Sequence, residues 1–195
     1  MRIGIPRETK PGERRLALDA AGAAALEGHE VRVAAGAGAG IGIADADFAA
    51  AGAAIVPPDE AWDAELVVKV KEIQEGEWAR LRAGSTLFSF QHLVGEPALA
   101  REVAARGVTA IAFEMVRGAD GGFPLLAPMS VIAGRLAIQA GAHHLTLPGG
   151  GNGTLLAAAP GSAPAQVLVL GGGHAGVNAA EGAAAPGAKV MVLTR

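Results

Sequence analysis

The chain contains no cysteine, so it can build no disulfide framework, thiolate nucleophile or Cys-based zinc or iron–sulfur centre. No uninterrupted apolar run reaches the span of about 20 residues that a membrane helix needs. The opening MRIGIPRETKPGERR turns to charge within a few residues, unlike a signal peptide. A Lys/Arg block is also missing. Sixteen basic residues face 19 acidic ones, for a net charge of −3, which removes the electrostatic case for binding nucleic acid or an anionic membrane. A cytosolic chain without those partners is expected. What remains is a 195-residue globular composition, 51% hydrophobic and 18% charged. That is enough for one domain, or one domain and part of another, around an apolar core.

Short β-branched runs alternate with alanine-rich amphipathic stretches, the pattern of strands returning through helices in a parallel α/β sheet. The sequence predicts strands at Arg2–Ile5, Glu30–Ala34, Ala53–Val56, Leu66–Val70, Thr86–Phe90, Val108–Phe113, Gln166–Leu170 and Lys189–Leu193. Helices are predicted at Ala20–Glu27, Asp45–Ala51, Glu75–Arg82, Pro97–Arg106, Ser130–Leu145 and Ala175–Ala185. Asp19 and Ser130 carry oxygens suited to capping a helix start. Turn-rich sequence before the longest helix places a domain boundary around Pro128–Ser130, giving a parallel-sheet domain over 1–129 and a second unit over 130–195. That second unit reads as helix, strand, helix and strand. A full dinucleotide domain has two βαβαβ halves, so the expectation is an incomplete Rossmann-type nucleotide-binding domain with an exposed strand edge and an uncovered apolar helix face.

Gly171, Gly173 and Gly176 stand in G-x-G-x-x-G spacing directly after an apolar strand and at the opening of a helix. The first glycine permits the turn, the second lets backbone approach a pyrophosphate, and the third lets helix and strand pack closely. The helix N-terminus then offers free amides to the phosphates. The acidic residue that usually binds the ribose hydroxyls at the end of the second strand is missing; Thr194 and Arg195 stand there instead. An arginine near that position accommodates a 2′-phosphate, which leaves NADP open beside NAD.

Lysine is scarce, at Lys10, Lys69, Lys71 and Lys189, yet two of the four alternate with Val68 and Val70 in one apolar strand. Period-two geometry puts Lys69 and Lys71 on one face. At the carboxyl end of a parallel strand that face meets the crevice where α/β sheets bind ligands, while on an edge strand lysines guard against aggregation. The strand-end position favours function for Lys71. His92 closes the next apolar run and is either a general acid/base or a solvated loop histidine. Arg14 and Arg15 follow the turn-forming KPGE; a guanidinium grips a carboxylate with two parallel hydrogen bonds, although solvent exposure is the commoner fate of arginine. His29, His143 and His144 lack the spacing and carboxylate surroundings of a metal site. His174 lies inside the glycine turn, where its backbone matters more than its ring. Together these residues suggest a small carboxylate substrate facing a nicotinamide.

The segments IGIPRETKPGERRLAL, VVKVKE, LFSFQHL, TAIAFEMV, PLLAPMSVIAGR and VLVLGGGHAGVNAA occur in an order that resembles the N-terminal half of alanine dehydrogenases, relatives of the nucleotide-binding subunit of proton-translocating transhydrogenase. The resemblance runs through almost the whole chain. It implies that Arg15 clamps the carboxylate of pyruvate or L-alanine, that Lys71 polarises the oxo group, and that His92 is the general acid/base. It further implies that Ser130 contacts NAD and that Gly171, Gly173, His174, Ala175 and Gly176 form the pyrophosphate turn. The implied reaction is oxidative deamination of L-alanine to pyruvate and ammonium, in a homo-oligomer. Three features depart from the family pattern: Val131 follows the serine in place of an acidic residue, AAAPGS replaces a more glycine-rich stretch, and Thr194 stands where the family has a ribose-binding aspartate. The sequence also stops before the rest of the nucleotide domain, the expectation being a truncated alanine dehydrogenase or a piece completed by another chain. A catalytically silent binding module and a transhydrogenase subunit are the alternatives.

Overall fold

Apolar runs rich in β-branched residues, bounded by glycine, proline or charge, form the strands. The computed structural model describes residues 1–194, and the chain divides into two units, Met1–Val116 and Arg117–Arg195. The first unit holds strands β1 (Arg2–Ile5), β2 (Glu30–Ala34), β3 (Ala54–Val56), β4 (Leu66–Val68), β5 (Thr86–Ser89) and β6 (Thr109–Ala112). All pair in parallel, in the order β3-β2-β1-β4-β5-β6. Ile3 lies opposite both Val31 and Leu66, and Val67 lies opposite Leu87. In such a doubly wound sheet the chain leaves β1 in one direction and β4 in the other. The crevice between their carboxyl ends is the place where α/β sheets bind ligands.

Helices α1 (Ala20–Ala24), α2 (Asp45–Ala50) and α3 (Pro97–Ala105) connect these strands. Asp19 caps α1 as its position implied, accepting the amide of Gly22 at 2.7 Å. One core gathers Ile3, Ile5, Val31, Val33 and Phe48; another gathers Trp62, Val67, Ile73, Leu81 and Leu87. Ile5, Val33, Val67 and Leu87 are completely shielded from solvent, each contributing about 1.5–3 kcal/mol through burial.

The structure corrects several boundaries. The helix expected over Glu75–Arg82 is a 3-10 helix over Glu75–Arg80. Strand β4 ends at Val68 because the amides of Val70 and Lys71 turn to the Glu8 carboxylate instead of to a neighbouring strand. It also lies between β1 and β5, so the edge-guard reading of Lys69 falls. Ser130 caps nothing: the long helix starts at Ala127, and Pro128 occupies its first turn, where a missing N–H is harmless.

In the second unit, α4 (Ala127–Leu145) precedes β7 (Gln166–Leu170), α5 (His174–Ala184) and β8 (Lys189–Leu193). Strands β7 and β8 pair in parallel from Gln166 opposite Lys189 to Leu170 opposite Leu193, making one βαβ element of Rossmann type. Leu168, Leu170, Met191 and Leu193 on these strands are exposed. Among the described residues, no helix is long and apolar enough to cross a membrane.

Candidate functional site

The crevice between β1 and β4 is filled with charge. After β1 the chain runs through Arg7, Glu8, Glu13, Arg14 and Arg15, which share a cavity of about 420 Å³ with the glycine-rich segment 36–40 that follows β2. After β4 come Lys69 and Lys71. Lys69 is fully buried, its ammonium 2.7 Å from the Glu77 carboxylate and 3.6 Å from that of Glu8. A buried ammonium requires such partners. Glu77 is held in turn by the hydroxyl of Thr9 at 2.7 Å and the amide of Gln74 at 2.9 Å. Lys69 is therefore structural. The network it anchors fixes Glu8, whose carboxylate receives the Val70 and Lys71 amides and so orients the backbone that carries Lys71. Burial pushes the Glu8 carboxyl above its ordinary range, against the Lys69 charge and those two amides.

Lys71 is partly exposed and lies 3.8 Å from Glu13. Arg15 grips the same carboxylate side-on, Nε to Oε1 at 2.9 Å and the terminal nitrogen to Oε2 at 2.7 Å. The amides of Arg14 and Arg15 also donate to Glu13 Oε1. The Arg15 guanidinium beside Glu13 lowers that carboxyl to about 2. Two residues predicted from sequence, Arg15 and Lys71, thus meet on one carboxylate at the strand ends. Glu13 brings a guanidinium and an ammonium to one carboxylate.

His92 lies at the end of the neighbouring strand β5. It is exposed and lines a second cavity, of about 440 Å³, with Gln91, Leu93, Glu114 and Met115. Its backbone holds φ +50, a left-handed conformation uncommon for residues other than glycine. The Glu114 carboxylate, delivered just past β6, fastens it there by accepting the His92 amide at 2.6 Å and the Gln91 amide at 3.1 Å. The imidazole stacks on Phe90, centroids 6.1 Å apart and planes 10° apart. Among the described residues, no hydrogen bond is made by its ring nitrogens.

Four carboxylates that organise the site escaped sequence reasoning: Glu8, Glu13, Glu77 and Glu114. The signal was the pair of lysines in an apolar strand, which implies buried acids nearby. Spacing names Glu13 alone, two residues before Arg15.

In the second unit Gly171 takes φ +109, and a Cβ on Gly176 would lie 1.8 Å from the Gly171 carbonyl oxygen. Gly173 precedes α5 and has open space on its Cβ side. The turn leads into α5 at His174 and Ala175, and the first amides of a helix have no partner within it. Ser130 lies within α4, and Arg195 lies outside the described residues.

A doubly wound parallel sheet with paired cations at its switch point, joined to a glycine-turn βαβ unit, defines a Rossmann-type α/β protein. The sequence pattern "Alanine dehydrogenase/PNT, N-terminal domain" matches residues 4–133, and its C-terminal companion matches 137–195; the chain belongs to the alanine dehydrogenase/PNT family. It is 52% identical to an alanine dehydrogenase of Mycobacterium tuberculosis, over 99% of this chain and 53% of the relative, and 46% identical to that of Bacillus subtilis, over 99% and 52%. A solved L-alanine dehydrogenase superposes with a TM-score of 0.89 at 42% identity, covering 98% of this chain and 54% of that one. The transhydrogenase of Sinorhizobium meliloti superposes at 0.82 with 27% identity, over 100% and 56%. The chain spans about half the length of the curated relatives it matches.

Proposed function

We propose that this chain carries the substrate-binding part of an NAD-linked alanine dehydrogenase, with residues 1–129 supplying the amino-acid site and 130–195 the start of the nucleotide site. The observation that carries this reading is the meeting of Arg15 and Lys71 on Glu13 at the switch point of the sheet. Arg15 holds the carboxylate of L-alanine or pyruvate through its planar fork. Lys71 donates to the oxo oxygen and opposes the negative charge that develops on it during carbonyl chemistry. Once C2 has lost its hydride to the acceptor and is doubly bonded to nitrogen, His92 takes a proton from the water that adds to C2 and returns one to the amine as the C2–N bond breaks, so that ammonium and pyruvate depart. NAD, when bound, supplies the hydride acceptor. The Gly171–Gly176 turn and the start of α5 hold its pyrophosphate, with Ser130 as a further contact.

The likeness to transhydrogenase supports a second reading, hydride exchange between nucleotides, which needs no amino acid. The two are separated by following nicotinamide absorbance with and without L-alanine. The substrate site is tested by titrating pyruvate, with and without NADH, into the chain and into Arg15→Ala. Buried Trp62 and its neighbour in the same core, Trp78, serve as fluorescence reporters. Loss of the fork should weaken binding at least about tenfold, the cost of one charge-assisted contact. Equal affinity in the two proteins would remove Arg15 from the site.

A further inference from the structure

Glu13 is a curious neighbour for a site that takes an anion. It places a permanent negative charge between the two cations assigned to the substrate. Its side chain is more than nine-tenths buried, and it is held by Arg15 through two side-chain contacts and by the amides of Arg14 and Arg15. Arg15, Lys71 and Glu13 together carry one net positive charge. Of the other nearby acids, Glu77 pairs with Lys69, and Glu8 is held by Lys69 and two backbone amides while its charge also reaches Arg15. Arg7 and Arg14 line the same cavity and are exposed, as Arg15 is; they add a solvent-screened positive background common to the chain and to its Glu13 variants.

We infer that Glu13 sets the substrate charge: it is a specificity-determining residue that trims the Arg15–Lys71 pair to the charge of a monocarboxylate and disfavours a second carboxylate. This rests on the reading of Arg15 and Lys71 as the substrate cations. Two cations without Glu13 would attract any small dianion. With Glu13 in place, the first carboxylate balances the Arg15–Lys71–Glu13 set, and a second meets the fixed negative charge of Glu13 against the solvent-screened Arg7 and Arg14. Removing that negative charge favours a dianion over a monoanion by the second carboxylate's own Coulomb interaction with Glu13, which grows as that carboxylate lies nearer. Glu13 also aligns the guanidinium fork. Orientation and charge are therefore separated by two substitutions, Glu13→Gln, which keeps shape and an acceptor, and Glu13→Asp, which keeps charge.

The experiment titrates the 195-residue chain and both variants with pyruvate and with oxaloacetate, which differ by one carboxylate, at low and at high salt. Thermal unfolding confirms that each variant is folded. The expected result is that pyruvate binds the unsubstituted chain more tightly than oxaloacetate. In Glu13→Gln the affinity ratio should move toward oxaloacetate by about tenfold at low salt, from the Coulomb energy of one charge at partly solvated distances. In Glu13→Asp the ratio should stay at its original value even if both affinities fall. An unchanged ratio in Glu13→Gln, or the same shift in both variants, overturns the inference while leaving the substrate site intact. Failure of the unsubstituted chain to bind pyruvate overturns the proposed function, and the inference with it.

Discussion

Strands β1 and β8 are built from the same kind of sequence, short apolar runs rich in branched residues, and they meet opposite fates. In the first unit Ile3 and Ile5 are shielded, because β1 has β2 and β4 on its flanks and core side chains packed against it. In the second unit Met191 and Leu193 face solvent, β8 having β7 beside it among the described residues. The difference teaches that an apolar strand is a demand for partners, and that burial is set by how many partners the fold supplies. Charge follows the same rule in reverse. The crowded middle of the first sheet can bury an ammonium because Glu8 and Glu77 are close enough to pair with it.

The sharpest way to break the contrast is to remove a partner where partners matter most. Glu77→Ala leaves the Lys69 ammonium buried with Glu8 alone, 3.6 Å away. It should destabilise the first unit by about 3–5 kcal/mol in denaturant unfolding, the cost of a broken buried pair. The double change Lys69→Met with Glu77→Leu should lose less than Glu77→Ala, since apolar replacement leaves no orphaned charge. A double variant as unstable as the single one would show that the network is needed for more than charge balance.

Acid titration probes the same contrast more gently. The Glu13 carboxyl is lowered from 4.5 to about 2, so its stabilising contribution is complete above the usual carboxylate range and is lost as pH falls from about 5 toward 2. Glu8 has the opposite sign: its raised carboxyl makes its ionised form a cost at neutral pH that protonation relieves. The stability gap between the unsubstituted chain and Glu13→Gln should therefore shrink below pH 4.5 and close near pH 2. A gap independent of pH would mean that the Arg15–Glu13 contact contributes no net stability.

The smallest effect is expected where the sheet is thinnest. Leu170 is 74% exposed, so Leu170→Ser should change stability by no more than about 0.5 kcal/mol, as at an ordinary surface position. Leu87→Ala, in the shielded core, should cost about 2–5 kcal/mol. A large loss at Leu170 would show that the exposed face of β7 is covered in solution.

Much of this was legible in the sequence. The alternation of strands and helices gave the parallel α/β class, and the starts of β1, β2, β4 and β5 were read to the residue. Lys71 was picked out by its position at a strand end and Asp19 by its place before α1, while the turn offered Arg14 and Arg15 alike and only the family resemblance singled out Arg15. Strand and helix ends were less legible because they are decided at a distance. Glu8 ends β4 from 62 residues away, and Glu77 folds inward to a lysine that no local pattern links to it. The start of α4 was missed because a proline in a first turn resembles a stop. Glu114 was invisible because it acts on the His92 backbone, 22 residues away in sequence, and no spacing rule connects a carboxylate to an amide across two strands.

The left-handed backbone at His92 has a consequence for how this chain can vary. Glycine or asparagine would adopt φ +50 at little cost, whereas histidine is held there against its preference. On the acid/base role proposed for His92, pressure for a sturdier fold and pressure for that chemistry pull position 92 in opposite directions. In a lineage that kept the architecture and abandoned the reaction, this is a position where drift toward a smaller, freer residue would show early.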